Sequence, residues 1–198
     1  MNKIFTTNIL KKEIKKAKNK NHKIVYCHGV FDLIHIGHIK HFKEAKKKGD
    51  FLIVSITADK FVNKGSGRPI FNQNLRAEFL SSLSFVDAII INENQTSEKL
   101  ISIIKPDIYF KGPDYKNNQK DRTKNIFKEV AVVKKFGGKV VYSNDITFSS
   151  SNLINTYSNY FNEHQKSFLK KISKKYTFDF IFKKLQELKK LKVLLIGE

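Results

Sequence analysis

Short apolar runs alternate with amphipathic stretches along most of this 198-residue chain, and this alternation constrains the fold more than any other feature. Runs rich in β-branched and aromatic residues predict strands, and stretches with helical spacing of apolar residues lie between them. Because parallel strands need crossover connections, the alternation predicts an α/β fold, a parallel sheet with helices on both faces. The expected strands lie near 24–28, 51–57, 86–91, 107–110 and 139–142, and the expected helices near 36–48, 73–83, 96–104 and 123–136.

Lysine is concentrated at the two ends of the chain. Of the formal net charge of +20, residues 1–23 carry +7 and residues 165–192 carry +8. The chain has only three arginines, the residue on which phosphate and base readout usually depend. This distribution disfavours nucleic acid as a specific partner, although charge of this size attracts polyanions.

The same patterns suggest how the chain is divided. We interpret residues 1–23 as a basic helical leader, 24–157 as the main domain and 158–191 as a helical extension or linker. Residues 192–198, "KVLLIGE", have the pattern of the first buried strand of a further α/β domain. The alternative is an extra edge strand on the main sheet.

Cysteine content and hydropathy bear on the compartment. The single cysteine, Cys27, excludes an intrachain disulfide and fits a reducing environment. No apolar stretch has the length of a membrane span, and the N-terminus lacks the apolar block of a signal peptide. We therefore expect a soluble cytoplasmic protein with no membrane partner.

The stretch "YCHGVFDLIHIGHIKHF", residues 26–42, carries the candidate chemistry. A strand that ends near Gly29 and a helix that begins near Ile36 would place His35 and His38 one turn apart at the helix N-terminus. Free backbone N–H groups and the helix dipole favour an anion there, and Gly37 allows close approach to the backbone. The alternatives are surface or capping histidines, or a metal site that includes His41.

These residues resemble the G-x-F-D-x-x-H-x-G-H signature of the nucleotidyltransferase superfamily related to the cytidylyltransferases. "ADKFVNKGSGRPIFNQNLRAEFLSSLSFVDAIIIN" and "KPDIYFKGPDY" resemble later segments of heptose-phosphate adenylyltransferases and glycerol-phosphate cytidylyltransferases, and "TFSSSNLI" resembles their Ser/Thr-rich segment. The matches run in the family's order over residues 24–157. The resemblance implies a Rossmann-like fold that transfers a nucleoside monophosphate from a nucleoside triphosphate to a phosphorylated acceptor.

The resemblance also implies roles for particular residues. His35 and His38 would contact the triphosphate and stabilise charge at the α-phosphorus, and Lys64 would be a loop cation that closes over the substrate. For Lys64 the alternative is a solvated loop lysine. The remaining residues implied to bind nucleotide or phosphate are Gly29, Phe31, Gly37, Arg76, Lys111, Gly112, Asp114, Ser149, Ser150 and Ser151.

Three of these assignments have structural alternatives. Arg76 could be an ordinary surface arginine of its helix, and Asp114 with Tyr115 could simply form a turn after Pro113. The serines could cap a helix, which is compatible with binding phosphate at the same N-terminus.

Two observations favour ATP over CTP and a heptose acceptor. No arginine shortly precedes Ser149, whereas the cytidylyltransferases have one, and "KVLLIGE" resembles the opening strand of ribokinase-type sugar kinases. We therefore expect AMP transfer to a sugar 1-phosphate, with Mg²⁺ as the counter-ion of the triphosphate. The alternatives are a CTP-dependent cytidylyltransferase for a polyol phosphate such as glycerol phosphate, and a non-catalytic lysine-rich protein that binds nucleotide or nucleic acid. The extra length at 116–138 is expected at the acceptor site or at a homodimer contact.

Overall fold

The computed structural model describes residues 3–65, 67–113, 125–143 and 162–188. Its central feature is a five-stranded parallel sheet in the order β3-β2-β1-β4-β5. The strands are β1 (Ile24–Gly29), β2 (Phe51–Thr57), β3 (Ala88–Asn92), β4 (Ile108–Lys111) and β5 (Lys139–Tyr142). The α/β class expected from the sequence is confirmed, and all five strands agree with their expected ranges to within two residues.

Helices cover both faces of the sheet and bury two apolar layers. One layer contains side chains of α2 and α3, such as Phe42 and Leu80, and the other contains side chains of α1, α4 and α5, such as Leu10 and Ile101. The helices are α1 (Thr7–Asn19), α2 (Ile36–Lys46), α3 (Gln73–Ser81), α4 (Glu98–Ile104) and α5 (Asn125–Lys135), with a short 3₁₀ helix at Asp59–Phe61.

Residues 1–23, expected to form a basic helical leader, contain helix α1, which packs on the sheet. Leu10, Ile14 and Ala17 recur at helical spacing on one face of α1 and are buried in the second apolar layer. Before the helix, Ile4 forms an isolated parallel bridge with Ile89 of β3. The lysines occupy the remaining faces of the helix. Helix α1 therefore belongs to the first compact unit, Met1–Leu153, and is not an appendage to it.

The second compact unit, Ile154–Glu198, is described over residues 162–188. It contains α6 (Glu163–Lys175) and α7 (Phe178–Leu188), where the sequence predicted continuous helical character. No residue of either helix is buried. The expected strand at 192–198 lies outside the described residues. Among the helices that the structure describes, none is both long enough and apolar enough to cross a bilayer.

Candidate active site

The strand order indicates a candidate binding crevice at the carboxyl ends of β1 and β4. These strands are neighbours in the sheet, and the chain order reverses between them. In open parallel sheets a crevice forms at such a reversal, outside the carboxyl ends of the strands. Gly29 ends β1 and Lys111 ends β4, so the segments that follow them meet at this edge.

His35 and His38 lie together at the N-terminus of α2, as the sequence predicted. His35 is the N-cap residue, and its Nδ1 accepts a hydrogen bond from the Gly37 N–H at 3.1 Å. The Nδ1 of His38 accepts from the His35 N–H at 3.4 Å, and the two ring centroids are 3.9 Å apart. Because both Nδ1 atoms accept, each neutral ring carries its proton on Nε2. The backbone of the cap thus fixes two imidazole donors in one place.

The environment keeps both rings neutral. Burial lowers the pKa of His38 to about 3, and the nearby His35, His41 and Lys64 act in the same direction. Burial also lowers the pKa of His35, and the positive charge of Lys64 adds to this effect. The three residues predicted to be catalytic are therefore close enough to influence one another electrostatically.

Gly29 and Phe31 have packing roles beneath the histidines. Phe31 has a positive φ of 49° and is 8% exposed, and a Cβ on Gly29 would lie 2.8 Å from its ring. Its ring packs edge-on against His38, with centroids 5.5 Å apart, and against Phe42 at 4.9 Å. Gly29 thus leaves room for the aromatic ring that supports His38.

The loop after the 3₁₀ helix is anchored by Asp32, a residue that the sequence analysis did not select. The Oδ1 of Asp32 accepts from the N–H groups of Ile70 and Phe71, at 2.8 and 3.1 Å. Its Oδ2 accepts from Nε of Arg68 at 2.5 Å. Despite its burial, these N–H donors and the Arg68 charge hold the pKa of the Asp32 carboxyl below its usual range. Asp32 therefore ties the segment before His35 to the loop that carries Lys64.

Arg76 was expected to bind phosphate, with an ordinary helix-surface arginine as the alternative, and the structure places its side chain in the interior. It is 1% exposed, and its NH2 group donates to the Thr57 carbonyl at 2.8 Å and to Asp59 Oδ1 at 2.6 Å. Its Nε and NH1 groups donate to the carbonyls of Phe71 and Val30, at 3.0 and 2.5 Å. All three nitrogens are engaged. Arg76 thus joins the segments after β1 and β2 to α3, and its contribution to the site is to position them.

Lys111 also lies inside the fold. Its ammonium group is 3.2 Å from Glu129 of α5, and both side chains are 5% exposed. Glu129 also accepts from the hydroxyl of Tyr109 at 2.7 Å and from the N–H of Ser97 at 3.0 Å. Desolvation raises the pKa of Glu129, but the charges of Lys111 and His28 and the hydrogen bonds from Tyr109 and Ser97 together lower it below its ordinary value. The ammonium group is therefore part of the interior, whereas a Cβ added to Gly112 would lie within 4 Å of no residue other than its chain neighbours in the part of the chain that the structure describes.

This ion pair ends a buried polar network that crosses the sheet. Hydrogen bonds link His28, Ser55, Tyr26, Ser97 and Glu129 in that order, and Glu129 in turn accepts from Tyr109 and pairs with Lys111. Burial, with a smaller effect of Lys111, lowers the pKa of His28 to about 4, so the ring is neutral. Cys27, which precedes His28 in β1, lies in the opposite apolar layer, so the two side chains face opposite sides of the sheet.

A groove of about 480 Å³ lies between the segment after β1 and the exposed face of α3. Leu33, Ile34, Phe71, Leu75 and Phe79 make its lining mainly apolar. Such a surface offers few donors for a sugar phosphate, so we do not assign the acceptor to it.

Several expected site residues cannot be placed. Asp114, Tyr115, Ser149, Ser150 and Ser151 lie outside the described residues. Within the described ranges, the structure contains no group of three or more His, Cys, Asp or Glu residues able to hold a metal ion. The site described thus consists of the histidine pair, Lys64 and the charged residues that anchor its loop.

Comparison with known proteins gives consistent matches over this part of the chain. A family model described as cytidylyltransferase-like matches residues 26–156. "Bifunctional protein HldE" of Aliarcobacter butzleri is 42% identical over 139 residues, which cover 69% of this chain and 29% of that protein. The protein of the same name from Haemophilus ducreyi is 43% identical over 118 residues, 59% of this chain and 25% of that protein. The chain therefore spans less than a third of the length of these curated relatives.

Solved structures agree with the fold. The crystal structure of a lipopolysaccharide core biosynthesis protein from Thermoplasma volcanium is 30% identical, with a TM-score of 0.53, and the match covers 64% of this chain and 99% of that one. A pantothenate synthetase from Thermus thermophilus has a TM-score of 0.56 at 12% identity, over 84% of this chain and 70% of that one. The second match supports the fold alone.

Proposed function

The chain belongs to the cytidylyltransferase-like family of nucleotidyltransferases, and on that premise we propose that it transfers AMP from ATP to a sugar 1-phosphate and releases pyrophosphate. The observation that carries the proposal is the fixed pair of imidazoles at the N-terminus of α2, beside Lys64 and at the carboxyl edge of the sheet. This edge combines backbone N–H groups, a helix dipole and side-chain donors, which is the chemistry that a triphosphate needs.

In the proposed reaction an oxygen of the acceptor phosphate attacks the α-phosphorus of ATP. The bond from the α-phosphorus to the bridging oxygen of the β-phosphate breaks, and pyrophosphate leaves with the electron pair. The Nε2–H groups of His35 and His38 donate to the oxygens on which charge develops. Both donors are positioned before the substrate arrives, so little reorganisation opposes the reaction.

Lys64 is proposed to close over the phosphates from its loop. Desolvation and the charge of Arg68 lower the pKa of Lys64, and the charge of Asp32 opposes them. The residue is exposed to solvent, which screens these effects and leaves the side chain able to reach a ligand. A cation on a flexible stem suits a phosphate that enters and leaves the site.

Enzymes of this family generally use a divalent metal ion. We propose that the ion is Mg²⁺ and that it enters as part of the substrate MgATP, coordinated by phosphate oxygens. When bound, it neutralises charge on the triphosphate. The part played by the chain is to supply the imidazole, backbone and lysine donors around that complex.

The choice of acceptor rests on the relatives. The resemblance to heptose-phosphate adenylyltransferases is confirmed by the HldE proteins, whose name describes them as bifunctional. We therefore propose heptose 1-phosphate as the acceptor, and a sugar kinase fused to this chain as the activity that supplies it. A cytoplasmic location, a homodimer and a main domain ending near residue 157 remain parts of the same proposal.

Pyrophosphate release tests this function. MgATP and MgCTP are each combined with a sugar 1-phosphate and with glycerol 3-phosphate, at matched free Mg²⁺. We expect the highest rate for MgATP with the sugar 1-phosphate, and heptose 1-phosphate to exceed glucose 1-phosphate. A preference for MgCTP with glycerol 3-phosphate would overturn the substrates and favour the cytidylyltransferase alternative. No pyrophosphate with any acceptor would favour a non-catalytic binding protein.

A further inference from the structure

Arg68 has an unusual set of partners. Its Nε donates to Asp32 Oδ2 at 2.5 Å, and its side chain is 10% exposed while that of Asp32 is 0% exposed. One terminal nitrogen, NH2, is buried and has no hydrogen-bond partner among the residues that the structure describes. A buried charged donor without an acceptor is costly, and in native proteins such a group usually has a bound ion, ligand or water as its partner.

The charges around Arg68 favour an anion as that partner. Of the two acidic residues in the cluster, Asp59 pairs with Arg76 and Asp32 pairs with Arg68. Lys64 forms no ion pair with any described residue. It nevertheless lies close enough for the charges of Arg68, Arg76 and Asp32 to shift its pKa. The cluster thus has one more positive than negative charge, and His35 lies beside it.

We propose that Arg68 is a phosphate-binding residue of the active site, oriented by Asp32 so that its NH2 group donates to a phosphate oxygen of the substrate. The inference deepens the proposed function and rests on it. Asp32 holds the Nε–H of the planar guanidinium, and the NH2 group is left for the ligand. Arg68 lies four residues after Lys64 in the same loop, so the loop supplies a fixed donor as well as a mobile one.

This role requires an arginine specifically. A lysine at position 68 keeps the charge, but its single ammonium group cannot hold the Asp32 carboxylate and a phosphate in the same fixed fork. An asparagine at position 32 separates the two functions of Asp32. Its Oδ1 still accepts from the N–H groups of Ile70 and Phe71. Its NH2 group, however, replaces the oxygen that accepts from Arg68 Nε, and because both groups are donors that hydrogen bond is lost.

Isothermal calorimetry with MgATP, and separately with inorganic phosphate as a probe for the acceptor, tests the proposal on the whole chain. The variants are Arg68→Lys and Asp32→Asn, and the matched control is Lys60→Ala, which removes an exposed charge paired with Glu93 from the same connection. We expect both test variants to weaken binding of one probe by on the order of 10- to 100-fold, as loss of a charged hydrogen bond does. The control should stay within about twofold.

The outcomes separate this inference from the proposed function. A loss confined to MgATP supports a contact with the triphosphate, and a loss confined to inorganic phosphate supports a contact with the acceptor. If wild-type protein binds MgATP, and Arg68→Lys binds each probe as tightly as wild type does, the role of Arg68 is overturned and the proposed function stands. If wild-type protein binds no MgATP, both fail. Thermal unfolding of each variant shows that binding is compared between folded proteins, and Arg68→Gln replaces Arg68→Lys if that variant unfolds.

Discussion

Mild acid should destabilise the unliganded protein through two partly buried histidines. Burial lowers the pKa of His28 to about 4 and that of His38 to about 3. In the unfolded chain both residues return to the ordinary histidine pKa of roughly 6.5. Below that pH the unfolded state binds more protons than the folded state. The stability that the two neutral histidines contribute is therefore fully present above their unfolded pKa. It is lost as the pH falls toward their pKa values in the folded protein.

The size of the effect follows from these pKa values. Between pH 7.0 and 5.5, protonation of the unfolded state costs about 1.2 kcal/mol for each histidine, or about 2.5 kcal/mol for the pair. Asp32 and Glu129 have lowered pKa values and stay ionised over this range, so they do not disturb the comparison. Urea unfolding at constant ionic strength measures the difference directly.

His28→Asn provides the matched variant, because an asparagine amide can occupy the position of the Nδ1 that bonds Ser55 at 2.7 Å. It should remove the roughly 1.2 kcal/mol that His28 contributes, while leaving intact the contributions of His38 and of His35, whose pKa is also lowered by burial. A wild-type free energy of unfolding that is constant between the two pH values would refute the reasoning. An unchanged pH dependence in His28→Asn would refute the assignment to that residue.

Three substitutions test other parts of the structure. His38→Ala should lower kcat by on the order of 10²–10³ with the fold intact, because it removes one fixed donor; near-wild-type turnover at saturating MgATP would contradict this role. Leu10→Ala should cost about 2–5 kcal/mol in urea unfolding, whereas the control Ile9→Ala, at a 45% exposed position of the same helix, should cost little. Arg76→Lys should cost about 3–5 kcal/mol in the same assay, since Asp59 and several carbonyls lose the donor that the buried guanidinium supplies; a cost below about 1 kcal/mol would show that Arg76 does not hold these segments together.

The sequence predicted those parts of the fold in which one physical signal dominates. Runs such as 51–57 are mainly apolar because a parallel strand is buried on both faces, and few other environments in a folded chain favour such a short, β-branched run. Helix α1 was predicted as a helix, but its packing on the sheet was not. Its lysines dominate its composition, and the three apolar residues that bury it form a narrow stripe among them. The spacing of these three residues is the signal that indicates a packed helix.

At the site, local signals were predictable and contacts distant in sequence were not. His35 and His38 are three residues apart, so their proximity follows from helix geometry. Asp32 meets Arg68 across 36 positions, and Lys111 meets Glu129 across 18, and nothing in a single sequence specifies such pairs. Asp32 lies within the histidine signature as its aspartate. Its negative charge, in a site otherwise supplied with lysine and arginine, was the one signal that could have identified it as an anchor.

The buried polar network has a consequence for how related sequences can vary. Tyr26 bonds both Ser55 and Ser97, and Glu129 bonds both Tyr109 and Lys111, so no member can be lost without leaving a partner buried and unsatisfied. Substitution of one member alone should therefore be rare, and double replacements by apolar side chains should be tolerated. In an alignment of homologues, the positions of Tyr26, Ser55 and Ser97 should change together, and the positions of Lys111 and Glu129 should change as a pair.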